Sequence, residues 1–556
     1  MNRTAPERDM PLRNMWRAPT DIMRLARLGS AHPTRLSFLR VLLRRIDAEG
    51  WTFDRMLWEV DAKGVGRAVY RAQGPERTYC LVAFAHDLPD EMRSDRVIAT
   101  AWDATFALFD GVPAEADLER LVKNVPLQEA GRVTASELSL SRANRSVRLF
   151  AHVVESLAAG CQPELAEIDA VGYLMRTTAV YGSGKFGAAD RETYAQRPEL
   201  AAPFQAEMLS VWLTRQFTVD IAEHLAFARG GANAVRLDMD IKMRLGVGNS
   251  TGLGMAPFIV RHPALVNAWL TAREEALARV RALQAAEDKA IAAFRDALEA
   301  ATANAARWHS EHPIQIRKLA DLRRDLTRIA ERLSTFLGEA ERPWDALWHW
   351  GETVLSLEGQ EALLALMLEP HGDLVDDLAD RMSVDETLSF RLDGAMRVSD
   401  LRKVLEERYR WALDIDFSMP ASNARFWYVS EEKLEPRIGE RDVDDGAERE
   451  QPLCVGRLAN ELYAALAAER DDEPVAVFLL GHPQHRFIVR RVQAAASRPY
   501  MEVQDNLIDG QTLPIDLMRC KLAFFGASRF DPRSDKWVRI NLFHGAPYPI
   551  ETSPGQ

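Results

Sequence analysis

The sequence predicts an α+β fold, and three features of it carry that prediction. Aromatic and β-branched runs broken by Gly, Pro and Asp occupy residues 51–109, apolar residues at helical spacing dominate the middle, and strand-like runs return after Val475. At 556 residues the chain is too long for one hydrophobic core. The expected organisation is a polar N-terminal tail or docking arm (1–20), an α+β domain with an antiparallel β-meander (21–160), and a helical core with two glycine-rich loops (161–262). A long antiparallel helical hairpin with following helices (263–395) and a C-terminal α+β domain with an antiparallel sheet (396–556) complete it.

Taken in order, Thr34 to Glu49 reads as a helix with Leu36, Leu39, Leu43 and Ile46 on one side. Trp51–Val60, Val65–Arg71, Thr78–His86 and Val97–Phe109 read as the meander. Helices are expected over Ala114–Lys123 and Ser136–Ala159, and Gln205 to Arg229 is an amphipathic helix with Met208, Trp212, Phe217, Ile221 and Leu225 at helical spacing.

In Val235 to Leu245 every second residue is apolar and the residues between are charged from Arg236 to Arg244, the period of a half-buried strand; its Leu, Met and Lys content leaves a helix open. Gly246–Gly254 then reads as a turn, and a helix begins near Pro263. The hairpin arms follow. The first spans about 264–308, ~65 Å at 1.5 Å per residue, with Gln284 and Glu287 where a strict repeat would want apolar residues. The second carries Leu319, Leu322, Leu326, Ile329, Leu333 and Phe336 in heptad-like rhythm. Trp344, Trp348 and Trp350 open another helix, and further helices are expected over Ser399–Leu413 and Val455–Ala468. The last expected strands are Val475–Leu480, Phe487–Val492, Tyr500–Gln504, Leu522–Gly526 and Trp537–Phe543.

Composition narrows the function classes. A net charge of −12 argues against general binding to nucleic acid or anionic membranes. No apolar run approaches the ~18 residues needed to span a bilayer, and the N-terminus lacks the apolar core of a secretory signal. Cys80, Cys161, Cys454 and Cys520 stand far apart with no CxxC, as in a reducing cytoplasm, and Cys161 beside Gly160 is the accessible one. There is no HExxH, CxxC or EF-hand loop, and His309/His312 and His482/His485 are the close histidine pairs, so no metal site is assigned.

Two segments point to anion chemistry. Met175–Gly187 is expected to be a loop that places Ser183 and Lys185 among Gly182, Gly184 and Gly187. It is not a P-loop, because Phe186 follows the lysine. Gly246, Gly248 and Gly252 approximate a dinucleotide fingerprint, but no acidic residue falls at a second strand end. N–H groups and hydroxyls on such loops suit a phosphate or carboxylate. The assigned ligand-binding residues are Arg176, Ser183, Lys185, Gly248, Asn249, Ser250, Thr251, Gly252 and Arg437, and the catalytic candidates are Tyr181, Glu431, Glu432 and Lys433. Asp220 and His224 share a helix face and form either an orienter–base pair or a surface salt bridge.

The expected function is a cytoplasmic enzyme acting on or with an anionic small molecule, its reaction and any cofactor unassigned. The alternative is an assembly or adaptor protein that docks a partner, or a second copy of itself, through the hairpin. A third reading, RNA binding by the arginine-rich second arm, is disfavoured by Asp321, Asp325 and Glu331 within it.

Overall fold

Strand propensity and tight turns set the N-terminal architecture. β1 (Thr52–Val60), β2 (Gly66–Gln73) and β3 (Thr78–Ala85) follow one another as antiparallel neighbours. The first turn closes at Gly66, whose φ of 145° and approach to the Glu59 carbonyl leave no room for a Cβ. β4 (Ala104–Asp110), β5 (Glu137–Arg145) and β6 (Tyr173–Tyr181) extend the antiparallel order, and β7 (Gly246–Asn249) lies parallel to β6. β8 (Phe426–Ser430), β9 (Pro436–Ile438) and β10 (Glu448–Pro452) form a separate three-stranded sheet. β11 (Arg529–Phe530) and β12 (Ile540–Leu542) return to the first sheet, giving it nine strands in the order β1–β7, β12, β11.

The computed structural model describes residues 12, 14–22, 34–92, 101–126, 134–181, 196–249, 263–308, 313–336, 341–382, 392–418, 426–430, 436–438, 448–452, 455–497, 523–527, 529–530 and 540–549. They fall into two compact units of non-contiguous segments: a sheet unit (31–252, 295–328 and 521–556) and a helical unit (1–30, 253–294 and 329–520).

The sheet unit has a core on each face of its sheet. α1 (Phe38–Ala48) and α2 (Glu115–Asn124) come first in sequence. On one face, Leu118 and Leu121 of α2 pack with Val69, Cys80, Val82, Phe84, Phe109 and Leu140. The other face holds α4 (Gln205–Gly230), with α3 (Phe150–Ala158) preceding it in the chain. α4 runs ~39 Å at 1.5 Å per residue and is buried from Gln205 to Glu223 without interruption. An amphipathic pattern predicts one wet side; instead the polar side is enclosed, and its groups are satisfied internally. Ser210 bonds Ser139, Thr218 donates to the Arg215 carbonyl at 2.8 Å, and the Arg215 guanidinium donates to backbone carbonyls of Leu245 (2.6 Å) and Pro547 (3.0 Å). Phe204, at φ 59°, starts α4 and stacks on Phe38 of α1 at 4.9 Å.

Several expectations change. Ser136–Ala159 is not one helix: Leu138 and Leu140 alternate with Ser139 and Ser141 in β5, and α3 follows. Met175–Tyr181 belongs to β6, so the first half of the expected loop is strand. Val235–Leu245 is not a strand but leads into α5 (Met239–Arg244). Of its alternating apolar residues, Leu237, Ile241 and Leu245 are buried while Met239 and Met243 are exposed, a spacing of four that suits a helix. Gly246–Asn249 is strand, not turn.

The helical unit contains α6 (Pro263–Arg281), α9 (Pro343–Val354) and α10 (Leu357–Leu368), in which Trp269, Trp344 and Trp348 are fully buried. α7 (Asp288–Arg307) and α8 (Pro313–Phe336) lie between them in sequence. The expected first arm is therefore two helices, broken over 282–287 where Gln284 and Glu287 interrupt the apolar repeat. At the far end, Arg323 rather than a histidine caps α7, donating to the Ala305 carbonyl at 2.9 Å. Arg324 and Arg328 pair with Asp321 and Asp325 of their own helix. A further core joins Val398–Arg408, Val455–Leu466 and Arg486–Ser497 through Leu401, Leu405, Leu462, Ile488 and Val492. The expected C-terminal strands Val475–Leu480 and Phe487–Val492 are helical, since short apolar runs do not by themselves separate the two periods. Residues 523–525 are also helical, and Tyr500–Gln504 lies outside the described residues.

Candidate functional site

α4 and the β1–β2 hairpin enclose a cleft of about 280 Å³ within the sheet unit. Strand alternation decides which side chains enter it. Phe53, Arg55 and Tyr70 point toward α4, whereas Asp54 and Arg71 pair with each other at 2.8 Å on the opposite side and contribute strand backbone. Helical spacing does the same for α4: Gln216, Asp220 and Glu223 sit at i, i+4 and i+7 and form one polar stripe, flanked by Leu213, His224 and Phe227. Trp58, Arg236 and Pro549 complete the wall.

Asp220 is the hub. Its Oδ2 accepts from the Tyr70 hydroxyl and from Arg55 Nη1, both at 2.9 Å, and its Oδ1 accepts from Gln216 Nε2 at 2.8 Å. Burial, reinforced by the negative charge of Asp220, pushes the Tyr70 phenol well above its ordinary value, so Tyr70 acts as a fixed donor. Arg55, 31% exposed, also stacks its guanidinium over Trp58 at 4.7 Å. Glu223 accepts from Lys242 Nζ and the Leu237 N–H, each at 3.0 Å. Burial nevertheless raises its carboxyl above the usual range, with Lys242 pulling the other way.

The expected Asp220–His224 pairing is replaced by separate partners. The Trp58 indole N–H can only donate, so at 3.4 Å it fixes His224 Nδ1 as the acceptor, and Nε2–H donates to the Asp61 carbonyl at 2.7 Å. With both nitrogens engaged, His224 is built as a brace rather than a base. Asp220 is likewise no surface pair, being only 8% exposed.

The sequence-assigned residues lie elsewhere. Arg176 is fully buried in β6 and paired in register with Gly248 of β7, while Thr177 faces Asn249. A Cβ on Gly248 would meet the Tyr173 ring and Arg176 Cβ at 3.0 Å, and one on Gly246 would meet the Leu542 carbonyl at 2.2 Å. These glycines therefore admit the protein's own neighbours, which corrects the expectation that a ligand requires them. Tyr181 ends β6 opposite Leu140, and Arg437 pairs with Tyr428 in the small sheet. Ser183, Lys185, Ser250, Thr251, Gly252, Glu431, Glu432 and Lys433 lie outside the described residues. Among the described residues, no group of three or more His, Cys, Asp or Glu side chains is placed to hold a metal ion, and no helix is long and apolar enough to cross a membrane.

Arg55, Trp58, Tyr70, Gln216, Glu223 and Arg236 were not identified from sequence. The stripe at 216, 220 and 223 was the available signal, polar positions recurring at helical spacing in an otherwise apolar helix. No protein-family model, curated protein or solved structure matches the chain.

Proposed function

We propose that the sheet unit binds a small anion with a flat apolar body in the α4–β1–β2 cleft. The observation that supports this is the charge arrangement on aromatic walls. Arg55 is matched by Asp220 and Glu223 by Lys242, and Arg236 adds a cation at the rim. Phe53, Trp58, Tyr70 and Phe227 supply the apolar surface. A volume of about 280 Å³ lies at the low end of the ~300–1,000 Å³ usual for ligand pockets, which favours a metabolite over a nucleotide. If the ligand is a substrate, Glu223 is the lining group with a carboxyl suited to exchange a proton.

A second reading keeps the glycine-rich segments as an anion cradle. It draws support from β6 and β7 being parallel neighbours, so that both segments leave the sheet in the same direction.

Calorimetric titration with 3-phenylpropanoate, a carboxylate on a flat ring, tests the cleft. The parent should bind it saturably, and Arg236→Ala and Arg55→Gln should each weaken binding at least about tenfold. Unchanged affinity in both variants, or no binding by the parent, would refute the cleft as an anion site.

A further inference from the structure

Gln216 tells more about the ligand than the arginines do. Its side-chain amide has a fixed orientation, because the Asp220 carboxylate only accepts and so must face Nε2, at 2.8 Å. That leaves Oε1 directed away from Asp220, and this oxygen is buried with no hydrogen-bond partner among the described residues. Gln216 itself is 8% exposed and lines the cleft. A buried acceptor without a donor is costly in a folded protein, so a position of this kind is expected to be completed by what enters the cleft.

The neighbouring groups locate that donor. Arg55 and Gln216 bond opposite oxygens of Asp220, so a guanidinium and an amide oxygen stand one side chain apart. Glu223, two turns further along α4, extends the acceptor side of the cleft. We infer that the ligand is an α-amino or α-hydroxy acid with an apolar side chain, its carboxylate taken by Arg55 and its amino or hydroxyl donor by Gln216 Oε1. This rests on the cleft being an anion site.

Three probes that differ at a single position test it: 3-phenylpropanoate without a donor, 3-phenyllactate with a hydroxyl, and phenylalanine with an ammonium. A site built around a polar contact discriminates strongly against the analogue that lacks it. The two donor-bearing acids should bind at least about tenfold more tightly than 3-phenylpropanoate. Gln216→Met should abolish that gap while leaving 3-phenylpropanoate affinity within about twofold of the parent. Equal affinity of all three for the parent would overturn the donor assignment and leave the anion cleft standing. A gap that survives in Gln216→Met would overturn the role of Gln216. Absence of binding by all three would overturn both readings. Should Gln216→Met fail to fold, the ranking in the parent decides the ligand class alone.

Discussion

Arg215 in the sheet unit and Arg17 in the helical unit are both buried arginines held by opposite means. Arg17 donates from Nε and Nη2 to Glu274 Oε2 at 3.0 and 2.8 Å, lies 3.7 Å from Glu361, and stacks over Trp348. Arg273 adds a bond to Glu361 at 2.9 Å. Burial pulls the Arg17 guanidinium down, but these two carboxylates more than offset it and hold it above its ordinary value. Arg215 has no carboxylate partner among the described residues; its contacts are backbone carbonyls and the Tyr548 ring at 4.5 Å. Burial therefore lowers it to about 10. The lesson is that a buried arginine serves either as one charge within a neutral cluster or as a multidentate clamp on backbone. Arg215 clamps α5 and the C-terminal strand's following turn onto α4, whereas Arg17 ties an N-terminal segment into a helical core.

The largest effect should come from the charge cluster. Arg17→Met leaves Glu274 and Glu361 short of a cation and should cost about 3–5 kcal/mol in denaturant unfolding. Adding Glu274→Met should restore a substantial part of that loss, because the cost is the uncompensated charge; a purely additive double variant would count against the comparison. Arg215→Met should cost less, roughly 1–3 kcal/mol for carbonyls that lose their donor. It should also loosen residues 540–549, read as faster amide exchange there; global destabilisation with unchanged local exchange would contradict the clamp.

Alkaline pH separates buried neutral groups from clamps. Burial raises the Cys80 thiol from 9.0 to about 12. Between those values the unfolded chain has lost its proton while the folded chain keeps it, so stability that is fully present below pH 9 falls as pH rises toward 12. Cys80→Ala should flatten that part of the melting-temperature profile, and an unchanged slope would remove Cys80 as its source. The smallest effect belongs to Arg324, 53% exposed and paired within its own helix. Arg324→Ala should shift stability by no more than about 1 kcal/mol, and a larger loss would mean that surface pairs carry weight here.

The sequence by itself determined the α+β class, the N-terminal meander and the long helix at 205–230, because strong periodicity survives without knowledge of neighbours. It also determined the position of the break between α6 and α7, where Gln284 and Glu287 interrupt the repeat. Short segments were decided by tertiary structure. Val235–Leu245 alternates, yet burial selects every fourth residue; Val475–Leu480 is apolar enough for a strand, yet Leu480 is 84% exposed at the end of a helix. The glycines at 246 and 248 looked like ligand contacts until the backbone and side chains packed beside them were known. The cleft was least legible of all, since Arg55, Tyr70 and Asp220 meet across 150 residues or more of chain. Local propensity acts over a few residues, whereas the pairing of buried charges depends on which distant segments the fold brings together.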